Sequence, residues 1–81
     1  MATEPAERVD ALGLLCPLPI LRLAAAVRRA GAGELVELIG DDEGIREDLP
    51  AWCEGNGHQL VSLDEDGEGR LVGRVRKSGE G

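Results

Sequence analysis

Arg8-Val9-Asp10-Ala11-Leu12-Gly13-Leu14-Leu15-Cys16-Pro17-Leu18-Pro19-Ile20 passes from one periodicity to another within thirteen residues. Polar and apolar side chains alternate from Arg8 to Leu12, the pattern of a short strand. Gly13 breaks it. Pro17 then stands where a helix takes its first turn, the position that tolerates proline best. Beyond it Ile20, Leu23, Ala24, Val27 and Ala30 follow helical spacing, with Arg22 and Arg29 on the other side. Arg28 and Arg29 suit the negative pole of the helix dipole, and Gly31-Ala32-Gly33 ends the helix.

The rest of the chain repeats the alternation. Residues 34–39 read as a second strand closed by Gly40. Asp41-Asp42 reads as the cap of a second helix running to about residue 55 and bent or split at Pro50. Leu49, Trp52 and Cys53 share one face of it, and Gly55-Asn56-Gly57 closes it. Residues 58–63 and 69–76 read as two strands, with Asp64-Glu65-Asp66-Gly67-Glu68 as their hairpin turn. The order βαβαββ favours helices packed on one face of a single sheet, an α+β fold. Arg70, Arg74, Arg76 and Lys77 read as charges that protect a sheet edge.

Composition narrows the function. A chain of 81 residues makes one small domain, and at that size only about 60% of the extended surface is buried. The domain is expected over 8–77, between a flexible lead-in (1–7) and a flexible tail (78–81). Trp52 is the only aromatic residue, which excludes the stacking platforms of single-stranded nucleic-acid binders. The net charge of −7 argues against direct nucleic-acid binding, because counterion release needs clustered cations. It favours basic partners. No targeting or membrane segment is visible, so the expected address is a reducing cytoplasm. Two cysteines and one histidine make neither a zinc site nor a disulfide framework, and no metal or cofactor is expected.

One segment argues for chemistry. With a helix beginning at Pro17, Cys16 is its N-cap, facing the positive end of the dipole. That setting lowers a thiol pKa and favours the thiolate, the species that attacks. Neither Pro17 nor Pro19 carries an N–H, so the first-turn donors are mainly those of Leu18 and Ile20, and the turn is stiffened before folding. The motif itself holds no base, a setting better matched to moving sulfur or electrons than to hydrolysis. The alternative at this point is a cysteine packed as a small hydrophobe that happens to start a helix.

The segment Asp10 to Pro19 resembles the signature of the TusA/SirA-like sulfur-carrier family, a Cys-Pro-x-Pro motif after an Asp-x-x-Gly turn. Gly33-Glu34, Asp41-Asp42, Asp48-Leu49-Pro50, Trp52-Cys53 and Gly57-His58 fall where that family has similar residues. The resemblance implies a two-layer α/β sandwich, with a four-stranded mixed sheet and two helices on one face. It implies a persulfide on Cys16, accepted from a cysteine desulfurase or rhodanese-type donor and passed to an acceptor protein. The purposes it suggests are tRNA thiolation, sulfur oxidation and cofactor assembly. Asp10, Gly13, Pro17, Leu18 and Pro19 would shape the site. Family members often carry polar residues where this chain has Leu15 and Leu18; an apolar collar raises a thiol pKa and offers a docking surface.

The remaining residues read more plainly. Cys53 reads as a core cysteine rather than a resolving thiol, and His58 as a residue opening a strand. Asp10 shapes the turn before Gly13. Asp41, Asp42, Glu43, Glu47 and Asp48 read first as a solvated helix start and second as a surface for a basic partner. Two further functions stay in view: a regulatory adaptor of the same fold indifferent to its thiol, and a redox pair of Cys16 with Cys53.

Overall fold

The computed structural model describes residues 4–79. Six elements follow in the order β1 (Glu7–Ala11), α1 (Leu18–Arg29), β2 (Leu35–Gly40), α2 (Ile45–Asn56), β3 (Gln59–Glu65) and β4 (Leu71–Arg76). Strand β1 takes in Glu7, the last residue of the expected lead-in. Residues 1–3 of that lead-in, and 80–81 of the expected tail, lie outside the described residues.

The apolar stripe of α1 makes it a helix with a single buried face, formed by Pro19, Ile20, Leu23, Ala26 and Val27. Helix α2 buries Ile45, Leu49 and Cys53 at i, i+4, i+8 spacing. It continues as one helix through Pro50, so it is not split there. Pro50 is the sixth of its twelve residues, and the sealing of Leu49 and Cys53 into the core outweighs its one missing hydrogen bond. Gly57, at φ +74°, ends α2: its N–H donates to the Glu54 carbonyl and that of His58 to Cys53. That crossed pair is a Schellman stop, and it requires the left-handed conformation glycine adopts freely.

The sheet order is β1-β2-β4-β3. Strands β1 and β2 are parallel, joined through α1, and both β2–β4 and β3–β4 are antiparallel. Strand β3 therefore runs parallel to β2 but one place removed, and β4 fills the gap. This corrects the reading of Arg74 and Arg76 as edge protection, because their strand is interior and β1 and β3 are the edges. Hairpin logic says that β3 and β4 pair; it does not say which of the two meets β2. On the helix-free face Glu37 of β2, only 6% exposed, lies between Arg8 of β1 and Arg74 of β4, with Nε–Oε distances of 3.1 and 2.9 Å. Arg74 is thus tied into the centre of the sheet.

The core lies between the sheet and the helices, with Val9 and Ala11 of β1, Val36 and Leu38 of β2 and Leu71 and Val75 of β4 facing α1 and α2. Gly73 keeps this layer thin. A Cβ there would sit inside contact distance of the Leu49 side chain, itself fully buried. Gly55, inside α2, faces open space. Gly73→Ala should therefore cost about 1–3 kcal/mol through overpacking. Gly55→Ala should add up to about 1 kcal/mol by stiffening the helix. Urea unfolding of the two variants checks both signs.

Candidate functional site

Parallel pairing in register, ending at Ala11 opposite Gly40, brings the loops after β1 and β2 to the same end of the sheet. Cys16 lies on the first loop and Asp41 and Asp42 on the second. The first loop is short of backbone partners, and carboxylates supply them. Asp10 Oδ1 accepts the Leu12 N–H at 3.0 Å. Gly13, at φ +81°, turns the chain, and its N–H donates to Asp41 Oδ1 at 3.1 Å. The Cys16 N–H donates to Asp42 Oδ2 at 2.8 Å. The Leu18 N–H donates to the Leu15 carbonyl at 2.9 Å, so it is not free to face a ligand.

These bonds correct two expectations. Helix α1 begins at Leu18 with Pro17 as its cap residue, so Cys16 lies one position outside the helix and is not the N-cap. The Cys16–Pro17 peptide is cis. Helix α2 begins at Ile45 after Gly44, without a side-chain cap. Asp41 and Asp42 reach across with their carboxylates to the loop after β1, and the Asp42 carboxylate also takes the Gly44 N–H just ahead of α2.

The electrostatics of the thiol reverse accordingly. Burial, followed by the carboxylates of Asp42 and Asp48, pushes the Cys16 thiol up to about 12, where a dipole-lowered value was expected. The cap that would have lowered it belongs to Pro17, and the helix field fades within one turn. Both nearby carboxylates favour the neutral thiol. Asp42 is itself held below the usual carboxylate range, first by the Cys16 N–H and then by the thiol. Gly44 closes the arrangement. A Cβ there would stand 3.1 Å from Asp42 Oδ2 and 3.3 Å from Cys16 Sγ, so a bare Cα is what lets the sulfur and the carboxylate share the space.

Cys16 is half-buried and free, and its loop neighbours Leu15 and Leu18 are exposed. Pro19 is buried and roots the loop in the core. Cys53, by contrast, is 2% exposed in the core, where burial raises its pKa to about 11. His58 belongs to the far end of α2, about 18 Å along a twelve-residue helix. There it stacks against Trp52 with ring centroids 5.2 Å apart, and its Nδ1 accepts the Ser78 N–H. These two rings line a cleft of about 450 Å³ remote from the thiol. Arg29, on the exposed side of α1, pairs with Glu7. Sequence reasoning missed Asp42 and Asp48 as neighbours of the thiol. The signal was present: two strands joined by one helix are parallel, so the residues after each meet at one end.

The family model described as Sulfurtransferase TusA matches residues 7–77. The chain belongs to the TusA family. Sulfur carrier protein TusA of Pseudomonas putida is 37% identical over 76 residues, 94% of each chain. YrkF of Bacillus subtilis is 38% identical over 72 residues, which make 89% of this chain and 38% of that longer protein. The crystal structure of a SirA-like protein from Desulfitobacterium hafniense superposes with a TM-score of 0.80 at 30% identity, covering 89% of this chain and 97% of that one. The four-stranded mixed sheet with two helices is thus the fold of a solved relative.

Asp42→Asn keeps an oxygen for the Cys16 N–H but removes the charge that disfavours the thiolate. Cys16 alkylation by iodoacetamide in the parent should still be rising beyond pH 9, the ordinary thiol value. In Asp42→Asn the whole profile should move to lower pH, with a several-fold faster rate at pH 8. Gly44→Ala should alter the same profile while the fold persists.

Proposed function

We propose that this protein carries sulfane sulfur as a persulfide on Cys16 and passes it to an acceptor protein. The observation that carries the reading is a free, half-exposed cysteine held on a carboxylate-tied loop at the sheet end, in a chain of a sulfur-transfer family. The curated relative named a sulfur carrier protein, matched over nearly its whole length, supports it.

The Cys16 thiolate attacks the terminal sulfur of a donor persulfide, R–S–SH. The Cys16 Sγ–S bond forms as the donor S–S bond breaks, and the electron pair of that bond leaves on the donor as R–S⁻. The proton lost by Cys16 neutralises the leaving thiolate, so Cys16–SH and R–S–SH become Cys16–S–SH and R–SH with no net oxidation. Delivery runs the same way, with an acceptor thiolate attacking the outer sulfur and Cys16 as the leaving group. The step needs no cofactor, since the cargo is the covalent sulfur itself.

Asp10, Gly13, Pro17, Leu18 and Pro19 serve by holding and framing the loop. The donor is of the cysteine desulfurase or rhodanese type, and the reducing cytoplasm is the compartment where such a thiol keeps cycling. No helix among the described residues is long and apolar enough to cross a membrane. The persulfide reading fits the guarded thiol: burial and the carboxylates of Asp42 and Asp48 favour the protonated form of Cys16 in the free protein, and a partner that offsets them favours the nucleophile.

Intact-protein mass spectrometry after incubation with a cysteine desulfurase and cysteine tests the proposal. One added sulfur atom is expected, lost on reduction, retained in Cys53→Ser and absent in Cys16→Ser. Absence of loading from that donor, from thiosulfate with a rhodanese and from polysulfide would sink the carrier reading in favour of the adaptor.

A further inference from the structure

Large apolar side chains are exposed at five positions among the described residues, and four of them, Leu12, Leu15, Leu18 and Leu21, lie in the Cys16 loop or the first turn of α1. Leu15 is the extreme case at 71% exposure. Folding has no use for this placement, because the core is complete without them. Scattered apolar residues are ordinary on a surface, but a group collected round a half-exposed thiol marks an interaction site.

The charge beside that collar is equally uneven. Glu7, Glu37, Glu43, Glu65, Asp66 and Glu68 are each ion-paired to an arginine. None of the ion pairs among the described residues uses Asp41, Asp42 or Asp48. Asp41, Asp42 and Asp48, like several exposed acids elsewhere, thus keep their charge without an arginine or lysine partner, and here they do so beside the thiol loop.

We propose that the leucine collar is the docking face for a partner protein that presents a positively charged side chain, set among apolar ones, next to its own reactive sulfur. This deepens the carrier reading and rests on it, since the partner is the one that exchanges sulfur with Cys16. The partner's apolar atoms cover the leucines, and its cation settles against Asp42 and Asp48. Neutralising those carboxylates removes the charges that oppose the thiolate and leaves burial alone against it, so docking moves the sulfur toward its reactive form. Free anions in the same solution meet an acidic, occupied surround and react slowly.

Two methanethiosulfonate reagents of matched size test this without any partner: a cationic one (trimethylammonium-ethyl) and an anionic one (sulfonatoethyl). The protein is used as Cys53→Ser, and modification of Cys16 is followed by mass. The ratio of the two rates cancels the thiolate fraction and reports the local field alone. At low ionic strength the cationic reagent should react about tenfold faster or more, the effect of two like charges at this range. The ratio should fall below about threefold in Asp42→Asn/Asp48→Asn, and part of the way in Asp48→Asn, which breaks no backbone bond. A ratio near one in the parent overturns the proposal. A large ratio that survives in the double variant also overturns it, assigning the preference to the overall charge. For the apolar part, benzyl methanethiosulfonate should outpace the methyl reagent, and Leu15→Ser/Leu18→Ser should abolish that advantage; equal rates in the parent remove the collar from the proposal. None of these rates involves a persulfide, so they stand or fall separately from the mass shift that tests the carrier itself.

Discussion

The in-register parallel pairing of β1 with β2 is the constraint on which the site depends. Because Ala11 ends opposite Gly40, the two following loops have no choice but to meet. Each is incomplete alone. The first has unpaired N–H groups at Gly13 and Cys16, and the second has two carboxylates and a glycine. Hydrogen bonds donated to a charged acceptor are among the stronger ones available to a small domain, each worth about 1.5–3 kcal/mol when shielded. Here they are partly exposed and their value is smaller, but they fix geometry where few packing contacts exist.

The same bonds determine the chemistry. A carboxylate close enough to hold the Cys16 backbone is also close enough to oppose ionisation of its side chain. The local structure therefore trades reactivity for order. An enzyme that attacks small molecules would suffer from this arrangement, whereas a carrier gains by it. Between deliveries a thiol held in its protonated form is spared stray electrophiles and oxidants, whose attack follows thiolate character and exposure.

Much of this was legible in the residues. Alternation and helical spacing located all six elements, and Gly57 marked the end of α2. The Cys-Pro-Leu-Pro segment marked the site. What misled was local reasoning about ends. Pro17 was read as the first helical residue because proline favours that position, yet it became the cap and left Cys16 outside. Asp41-Asp42 preceding a helix reads as its cap because that is their commonest local use; the Asp42 carboxylate does take the Gly44 N–H, but both side chains also serve donors on the neighbouring loop. The interior place of β4 was hidden for a similar reason, since periodicity describes a strand's faces and not its neighbours. In each case the deciding partner was distant in sequence.

The interior place of β4 has one more consequence, for the making of the chain. Until residues 71–76 have emerged from the ribosome, β2 and β3 have no common neighbour and the sheet cannot close. During that interval β2 and β3 show unpaired edges, the surface on which nascent chains pair wrongly with one another. The charges that β4 and β2 exchange through Arg74 and Glu37 then act as a seal of correct insertion, because an unpaired Glu37 left on the sheet would oppose any other strand offering carboxylates. The last strand of the sheet to be made is thus the one that completes its middle.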